Sequence, residues 1–394
     1  SEIVVIGGGH NGLVAASYLA RAGHQVRVVE ARSELGGAVA SKEAFDGVAA
    51  RLSRFSYLVS LLPISIIDEL GLRVELRPRR LRSYTPVGTG GLLIERQNGR
   101  VTSESFRTLT GDDREYQAWT EFEAGLRELA AVIEPTLTGP LPSAAELRAQ
   151  VDQEFWSSVV EQPLGQLIEA RFADDTVRGV VLTDALIGTF ASAHDPSLRQ
   201  NRCFLYHMIG NGNGEWKVPV GGMGTVTAEL VRVAQEANVS ITTSCPVAAI
   251  KPLADGGATV YLADGQSISA NTILVNCAPA MLQRLLGRPP QAPVGSQIKL
   301  NIVMRRLPRF RSGIEPAVGF AGTLHLGQGY ARLQEAYAEA LGGQIPDPVP
   351  CEVYCHTLTD GSILDPELRA AGYHTLTLFG MHTPASLFAA DPAG

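Results

Sequence analysis

Lysine is scarce in this chain of 394 residues: of 33 basic residues only Lys42, Lys217, Lys251 and Lys299 are lysine, and the formal charge is −7. A chain with this balance lacks the electrostatic footprint of a nucleic-acid binder, so no nucleic-acid partner is expected. Cysteine is equally thin. Cys203, Cys245, Cys277, Cys351 and Cys355 form an odd, scattered set without CxxC, which suits a reducing compartment. None precedes Cys203, which argues against a thiol–disulfide relay beside an N-terminal nucleotide motif. The histidines are dispersed, with no HExxH and no close Cys/His spacing, so no metal site is expected. No apolar run reaches the length of a membrane span, and no signal peptide precedes the first strand, which gives a cytoplasmic expectation. The nearest candidate span, 58–67, is interrupted by Pro63 and reads as core or substrate-channel lining rather than an interfacial anchor.

What is present begins at once. Ile3-Val4-Val5-Ile6 is a short, β-branched apolar run, too short for a helix, and reads as a buried parallel strand. A parallel neighbour needs a crossover helix, which residues 13–20 supply before Gly23 ends it. Between strand and helix, Gly7, Gly9 and Gly12 stand at GxGxxG spacing. The first permits a tight turn, the second lets a pyrophosphate approach the backbone, and the third lets helix and strand pack closely. Amides of the first helical turn then face the phosphates. Glu30 ends the next strand, where a carboxylate accepts hydrogen bonds from both ribose hydroxyls and repels a 2′-phosphate. That favours FAD or NAD over NADP.

The continuation Ala31-Arg32-Ser33-Glu34-Leu35-Gly36-Gly37 completes an ExRxxxGG pattern. It resembles the FAD-binding region shared by amine oxidases, phytoene dehydrogenases and GDP-dissociation inhibitors. The resemblance implies FAD as the cofactor, with Glu30 on the adenosine ribose, Arg32 near the adenine or phosphates, and Gly36 and Gly37 admitting the cofactor chain. His10 and Asn11 lie inside the phosphate turn and join the candidate set, with the turn's own hydrogen bonding as their competing role. Pro219-Val220-Gly221-Gly222-Met223-Gly224 and Asn276-Cys277-Ala278-Pro279 look like the return segment of phytoene dehydrogenases. By the same resemblance the backbone at Val247 touches the adenine. Gly7-Gly8-Gly9-His10-Asn11-Gly12-Leu13, Cys355-His356-Thr357-Leu358-Thr359-Asp360 and Thr375-Leu376-Thr377-Leu378-Phe379-Gly380 are similar to the branch named for pyridine nucleotide-disulfide oxidoreductase domain-containing protein 2. Members of that family end in another glycine-rich strand and helix that return to the flavin. Here the chain stops at Asp391-Pro392-Ala393-Gly394 without such a motif, so the expectation is a fold that persists with weak or absent FAD binding.

Along the chain, 51–72 reads as mainly helical and 73–76 as a strand leading into Arg77, Arg79, Arg80 and Arg82. That arginine run reads as a solvated face, with phospholipid headgroups or a cofactor phosphate as its alternative partner. Residues 88–91 read as the loop that first leaves the nucleotide domain. Tyr116, Trp119, Phe122, Leu126, Leu129 and Ile133 make one apolar helical stripe, and Ser143 with Glu146 a capping box. Helices are expected at 164–172, 176–190 and 330–341, a flexible hinge at 210–214, and a helix from the 219–224 segment to 237. Strands are expected at 239–243, 247–250 and 273–275, with hairpin turns at 255–257 and 264–265, and further strands at 297–305, 351–357 and 374–379.

The whole reads as an α/β protein: a Rossmann-type FAD-binding domain of the amine oxidase and phytoene dehydrogenase type at 1–85 and 215–290, interleaved with an α+β substrate domain of helical cap and sheet at 86–214 and 291–394. The expected function is an FAD-dependent oxidoreductase that desaturates or isomerises a carotenoid-like or other lipophilic small molecule, with peripheral membrane contact as a further expectation. The alternative is a non-catalytic binder of lipid or protein on the same scaffold, as GDP-dissociation inhibitors are. Amine oxidase is a third reading, and the aromatic pair it calls for cannot be located in the sequence. No catalytic acid or base stands out; His356 and His382, on or beside expected strands, could each reach the substrate cavity but read as satisfied core histidines.

Overall fold

Val4 and Val5 lose all contact with solvent in the strand Glu2–Ile6 because that strand is central in a parallel sheet covered on its faces. The computed structural model describes residues 2–254, 256–291 and 295–389, so Asp255 of one expected hairpin turn and the chain end at 391–394 lie outside the described residues. The sheet runs in the order Thr272–Val275, Glu2–Ile6, Gln25–Val29, Ser240–Thr242, with every neighbouring pair parallel. The helix His10–Arg21 makes the first crossover, and Met223–Glu236 leads into the edge strand. A second, antiparallel sheet of Val247–Pro252, Ala258–Leu262 and Ser267–Ala270 packs its Ile250, Val260 and Leu262 against Val4, Ile6 and Val29. Together these elements form one compact unit made of Ser1–Leu58, Ile64–Leu76 and Pro219–Pro293.

The other unit comprises Val59–Pro63, Arg77–Val218 and Val294–Gly394. Its six-stranded sheet runs Ile298–Met304, His374–Gly380, Cys351–Tyr354, Thr323–Leu326, Leu81–Val87, Gly90–Glu95, antiparallel except where Thr323–Leu326 meets Leu81–Val87. Its helices include Arg100–Thr110, Arg114–Ile133, Leu164–Arg171, Asp175–Thr183, Arg199–Met208 and Tyr330–Leu341. The stripe along Arg114–Ile133 is the centre of their core: Trp119, Phe122, Leu126 and Leu129 are buried, and the Phe122 ring meets those of Phe172 and Phe204. The capping box at Ser143 and Glu146 is formed.

Several expectations need correction. Residues 51–72 are not mainly helical: Val48–Ser53 is a strand paired with Ser41–Phe45, burying Ala50 and Leu52 at the period of two that a strand requires, and the only helix there is Ile64–Leu70. The strand expected at 73–76 forms as Leu76–Pro78. Residues 88–91 do not leave the first unit; they close the hairpin of Leu81–Val87 with Gly90–Glu95, and the chain has already crossed, briefly at Val59–Pro63 and then at Leu76/Arg77. The helix expected over 176–190 stops at Thr183, followed by turns and by Gly188 at φ +88°. The glycine-rich 210–214 segment is not a free hinge. The Asn211 amide donates to Ser60 O at 2.7 Å, and a Cβ on Gly210 would strike Ser60 Oγ. Nor is the arginine run wholly solvated: Arg79 donates to Thr323 Oγ1 and lies over the Tyr354 ring, and Arg82 pairs with Glu123 beneath Trp119.

Candidate cofactor site

In the first unit three glycine segments converge at the carboxyl end of the parallel strands. Gly7 takes φ +102°, open to glycine but not to a β-branched residue, and its N–H donates to Val29 O at 2.8 Å. The first intrahelical bond runs from Leu13 N–H to Gly9 O at 3.0 Å. The amides of His10, Asn11 and Gly12 therefore have no acceptor within the helix and are the donors available to an anion at its N-terminus. Gly12 is forced by packing: a Cβ there would lie 2.4 Å from Gly7 O and 2.6 Å from Asn276 Nδ2. The second glycine pair closes on the first, with Gly36 N–H donating to Gly8 O at 2.8 Å and Gly37 packed on the Gly9 backbone. The third segment enters through the helix Met223–Glu236, whose Gly224 N–H donates to Ser41 Oγ and whose Thr227 hydroxyl donates to Val39 O while its side chain fills the space a Cβ on Gly36 would need.

Glu30 closes this arrangement. Its Oε2 accepts the Gly8 N–H at 2.8 Å and its Oε1 accepts the Arg32 N–H at 2.9 Å. These two backbone donors aim the carboxylate at the glycine turn, and among the described residues no ion pair draws it elsewhere. Two amides use only part of its accepting capacity, so lone pairs remain for ribose hydroxyls. Val247 opens the strand Val247–Pro252 two residues after Cys245, whose N–H donates to Glu30 O at 2.8 Å. Arg32 and Asn11 are exposed.

His10 departs from the role of supporting its own turn. Its Nδ1 is shut off from solvent and has no hydrogen-bond partner among the described residues, and burial lowers its pKa, so a buried acceptor stands at the start of the helix with nothing to accept from. A dinucleotide fits these features: anion-seeking amides, a ribose-seeking carboxylate and an orphaned polar atom at one helix N-terminus. Asn276 is the residue the sequence did not single out for a role. Its Nδ2 donates to Gly7 O at 3.1 Å and its N–H to Ile6 O at 2.8 Å, bracing the turn from the returning strand. Its position inside a matched segment was the only signal.

The comparisons with known proteins now decide the family. The description of flavin containing amine oxidoreductases matches residues 12–301. The chain belongs to that family. The flavin-containing amine oxidoreductases have FAD-dependent oxidases among their members, and this chain is an FAD-dependent oxidoreductase of that superfamily with a Rossmann-like domain. An uncharacterized protein of Mycobacterium bovis is 45% identical to it over 98% of this chain and 75% of its own length. Pyridine nucleotide-disulfide oxidoreductase domain-containing protein 2 of Mus musculus is 28% identical over 98% of this chain and 74% of its own. Hydroxyneurosporene desaturase of Cereibacter sphaeroides is 26% identical over 74% of this chain and 59% of its own. Among solved structures, putrescine oxidase bound to putrescine shares the fold at a TM-score of 0.59, 20% identity, 97% of this chain and 76% of that one. A Rab GDI of Plasmodium falciparum shares it at 0.56, 10% identity, 96% and 82%.

The second unit carries a separate constellation that sequence reading missed. Thr85, His325, Glu352, Phe379 and Lys299 stand on neighbouring strands of the six-stranded sheet, the last four in direct register, so they share one face. Thr85 Oγ1 lies 2.8 Å from His325 Nδ1, and the Tyr354 hydroxyl donates to Glu352. Burial, with the Asp184 carboxyl nearby, raises Glu352 to about 8; burial also drops His325 to about 3 and Lys299, over the Phe379 ring, to about 8. Perturbed groups gathered on one face mark a candidate functional surface. Alternation alone, without knowing which face was buried, could not pick them out. His356 lies beside Asp360, its Nε2 3.5 Å from the carboxylate. His382 is not satisfied: neither ring nitrogen has a hydrogen-bond partner among the described residues. In those residues no group of three or more His, Cys, Asp or Glu could hold a metal ion, and no helix is long and apolar enough to cross a membrane.

Proposed function

We propose that this chain binds FAD on the glycine turn of its first unit and oxidises a lipophilic, unsaturated small molecule by desaturation, or isomerises it. The observation that carries the cofactor assignment is the Glu30 carboxylate, oriented onto the glycine turn by the amides of Gly8 and Arg32. In this reading Glu30 holds the adenosine ribose, the amides of His10, Asn11 and Gly12 take the diphosphate, and Gly7, Gly9, Gly36 and Gly37 keep the backbone close enough for it. The Val247 backbone meets the adenine, and Arg32 stands beside the phosphates or adenine. When bound, the flavin supplies the capacity to accept a hydride from carbon, and the protein's share is to orient the substrate and exclude water. The substrate class is supported by the desaturase among the relatives, and the second unit adds the half-buried Lys299, whose ammonium burial lowers to about 8.

A second reading, a binding protein without redox turnover, draws on the fold shared with the Rab GDI. Glu30 weighs against it, because a carboxylate held on a dinucleotide turn has no function there. An absorbance spectrum of the purified chain before and after FAD addition separates the two. A flavin band near 450 nm that survives gel filtration, and that bleaches under anaerobic conditions with a polyene substrate, is the expected outcome. A chain that stays colourless in excess FAD yet captures a prenylated or lipid partner overturns the proposal.

A further inference from the structure

His382 sits just past the end of the strand His374–Gly380, at φ +53° and only 2% exposed, with both ring nitrogens unpartnered among the described residues. A left-handed backbone at a non-glycine residue and an imidazole buried without hydrogen bonds are two separate costs at one position. Neither is explained by core packing, since an apolar ring would fill the same space without desolvating two nitrogens. A second orphan lies close by. Thr383 N–H donates to Ser296 O at 3.1 Å and Ile298 N–H to Thr383 Oγ1 at 2.7 Å, which sets Gln297 beside the His382 turn. Gln297 Oε1 accepts the Gly188 N–H at 2.7 Å, while its Nε2 is shut off from solvent with no acceptor. The loop holding Gly188 also carries Phe190, whose ring centroid is 5.8 Å from the imidazole, and the Tyr337 ring stands 5.5 Å away on another side. Both rings are half-buried. Gln297 immediately precedes the strand Ile298–Met304 that carries Lys299.

We propose that His382 and Gln297 form a substrate subsite that takes the hydroxyl or carbonyl oxygen of an otherwise apolar, unsaturated molecule whose carbon chain lies against Phe190 and Tyr337. The proposal rests on the lipophilic-substrate reading and adds the polar group that such a substrate carries. The donor and acceptor inventory selects the chemistry. Gln297 has only N–H left to offer, because its carbonyl is occupied. Burial drops His382 to about 4, so the imidazole is neutral and presents one N–H and one bare nitrogen. One neutral oxygen can accept from the amide, and a hydroxyl can also donate to the bare nitrogen. An ammonium would find one acceptor and two opposing donors. Any full charge would be desolvated between aromatic rings without a partner in this corner.

The test compares farnesol with farnesene, the hydrocarbon of matched length, by equilibrium dialysis against the full chain, with imidazole 15N shifts of His382 as a second readout. The wild type is expected to bind farnesol about tenfold more tightly than farnesene, the worth of one to two hydrogen bonds, with the His382 nitrogen shifts moving only for farnesol. His382→Phe and Gln297→Leu should each remove that preference. Gln297→Leu probes the same subsite from a residue that does not share the left-handed φ of His382, so a failure of His382→Phe to fold leaves the test intact. Equal binding of the two probes to the wild type, or a preference that survives Gln297→Leu, overturns the subsite and leaves the lipophilic reading standing. Failure of the wild type to bind either probe overturns both.

Discussion

The two units bury polar groups in opposite ways. At the glycine turn of the first, the recognition groups are main-chain amides and one carboxylate, and the turn's own frame is matched, with Glu30 held by two amides, Gly7 O by Asn276 and Gly8 O by Gly36, while the amides opening the helix and His10 Nδ1 are left for a ligand. On the sheet face of the second and at its margin, the groups are side chains, and several are held at a cost, with Glu352 kept protonated by burial and His382 without a hydrogen-bond partner among the described residues. A site assembled from backbone is rigid and leaves a record in glycine spacing. One assembled from side chains across strands leaves none until the register is known, and its unpaid polar groups mark where a ligand completes it.

The sharpest way to break this contrast is Gly12→Val. Its Cβ would meet Gly7 O and Asn276 Nδ2 at 2.4 and 2.6 Å, both braced by hydrogen bonds, so the turn cannot yield without opening. Loss of FAD uptake is expected, with a stability loss of about 3 kcal/mol or more, the upper range for overpacking. Flavin retention after gel filtration and a denaturant melt would check both, and a variant that keeps flavin at wild-type stability would show that the turn is not rigid. Next in size is Glu30→Gln. An amide cannot accept at both ends, so its nitrogen must face the N–H of either Gly8 or Arg32, and the hydrogen bond to ribose loses its charge. FAD affinity should fall roughly 10- to 100-fold, as for a charge-assisted hydrogen bond. Titration of flavin fluorescence quenching would measure it; unchanged affinity would remove Glu30 from the ribose.

That asymmetry also explains what was legible in the sequence. The strand, turn, helix and acid at residues 3–30 were readable because each depends on local rules: β-branched run, glycine spacing, crossover length. The helix Tyr330–Leu341 and the strands Ile298–Met304 and His374–Gly380 were readable from periodicity. The hairpin Ser41–Phe45 with Val48–Ser53 was not, since its short apolar positions are compatible with a helix until Ala50 and Leu52 are seen buried together. Nor was the inward turn of Arg79 and Arg82, whose partners Thr323, Tyr354 and Glu123 are remote in sequence. The reading of His382 as a satisfied core histidine failed for the same reason: a satisfied imidazole and an orphaned one look alike without neighbours.

The second unit's cost should be visible as a pH dependence. Glu352 is raised from 4.5 to about 8, so between those values the unfolded chain releases a proton that the folded chain retains. Its contribution is therefore complete below pH 4.5 and is lost as pH rises to about 8. Glu352→Gln should flatten this part of the stability curve and make the variant about 1–3 kcal/mol more stable than wild type at pH 8, the usual worth of relieving a buried charge's desolvation. His325 has the opposite sign: lowered from 6.5 to about 3, it takes stability away as pH falls through that window, and Glu352→Gln should leave that limb in place. Urea melts from pH 5 to 9 would show both limbs. A Glu352→Gln curve parallel to wild type would mean that the carboxyl is solvated after all.

The smallest effect separates a tolerated orphan from a created one. Thr85 Oγ1 is the partner of His325 Nδ1 at 2.8 Å, and both residues are 4% exposed. Thr85→Val keeps the shape and removes the hydroxyl, which leaves Nδ1 buried and unpaired. The expected loss is about 1 kcal/mol, read from the urea midpoint at pH 7.5, above the range in which His325 gains a proton in either state. If the sheet face were simply permissive of unpartnered polar atoms, as His382 taken alone would suggest, the variant would match wild type. A measurable loss at Thr85 shows that an unpaired imidazole is costly on this face. The two unpaired nitrogens at His382 then carry a comparable cost, which the ligand proposed above would offset.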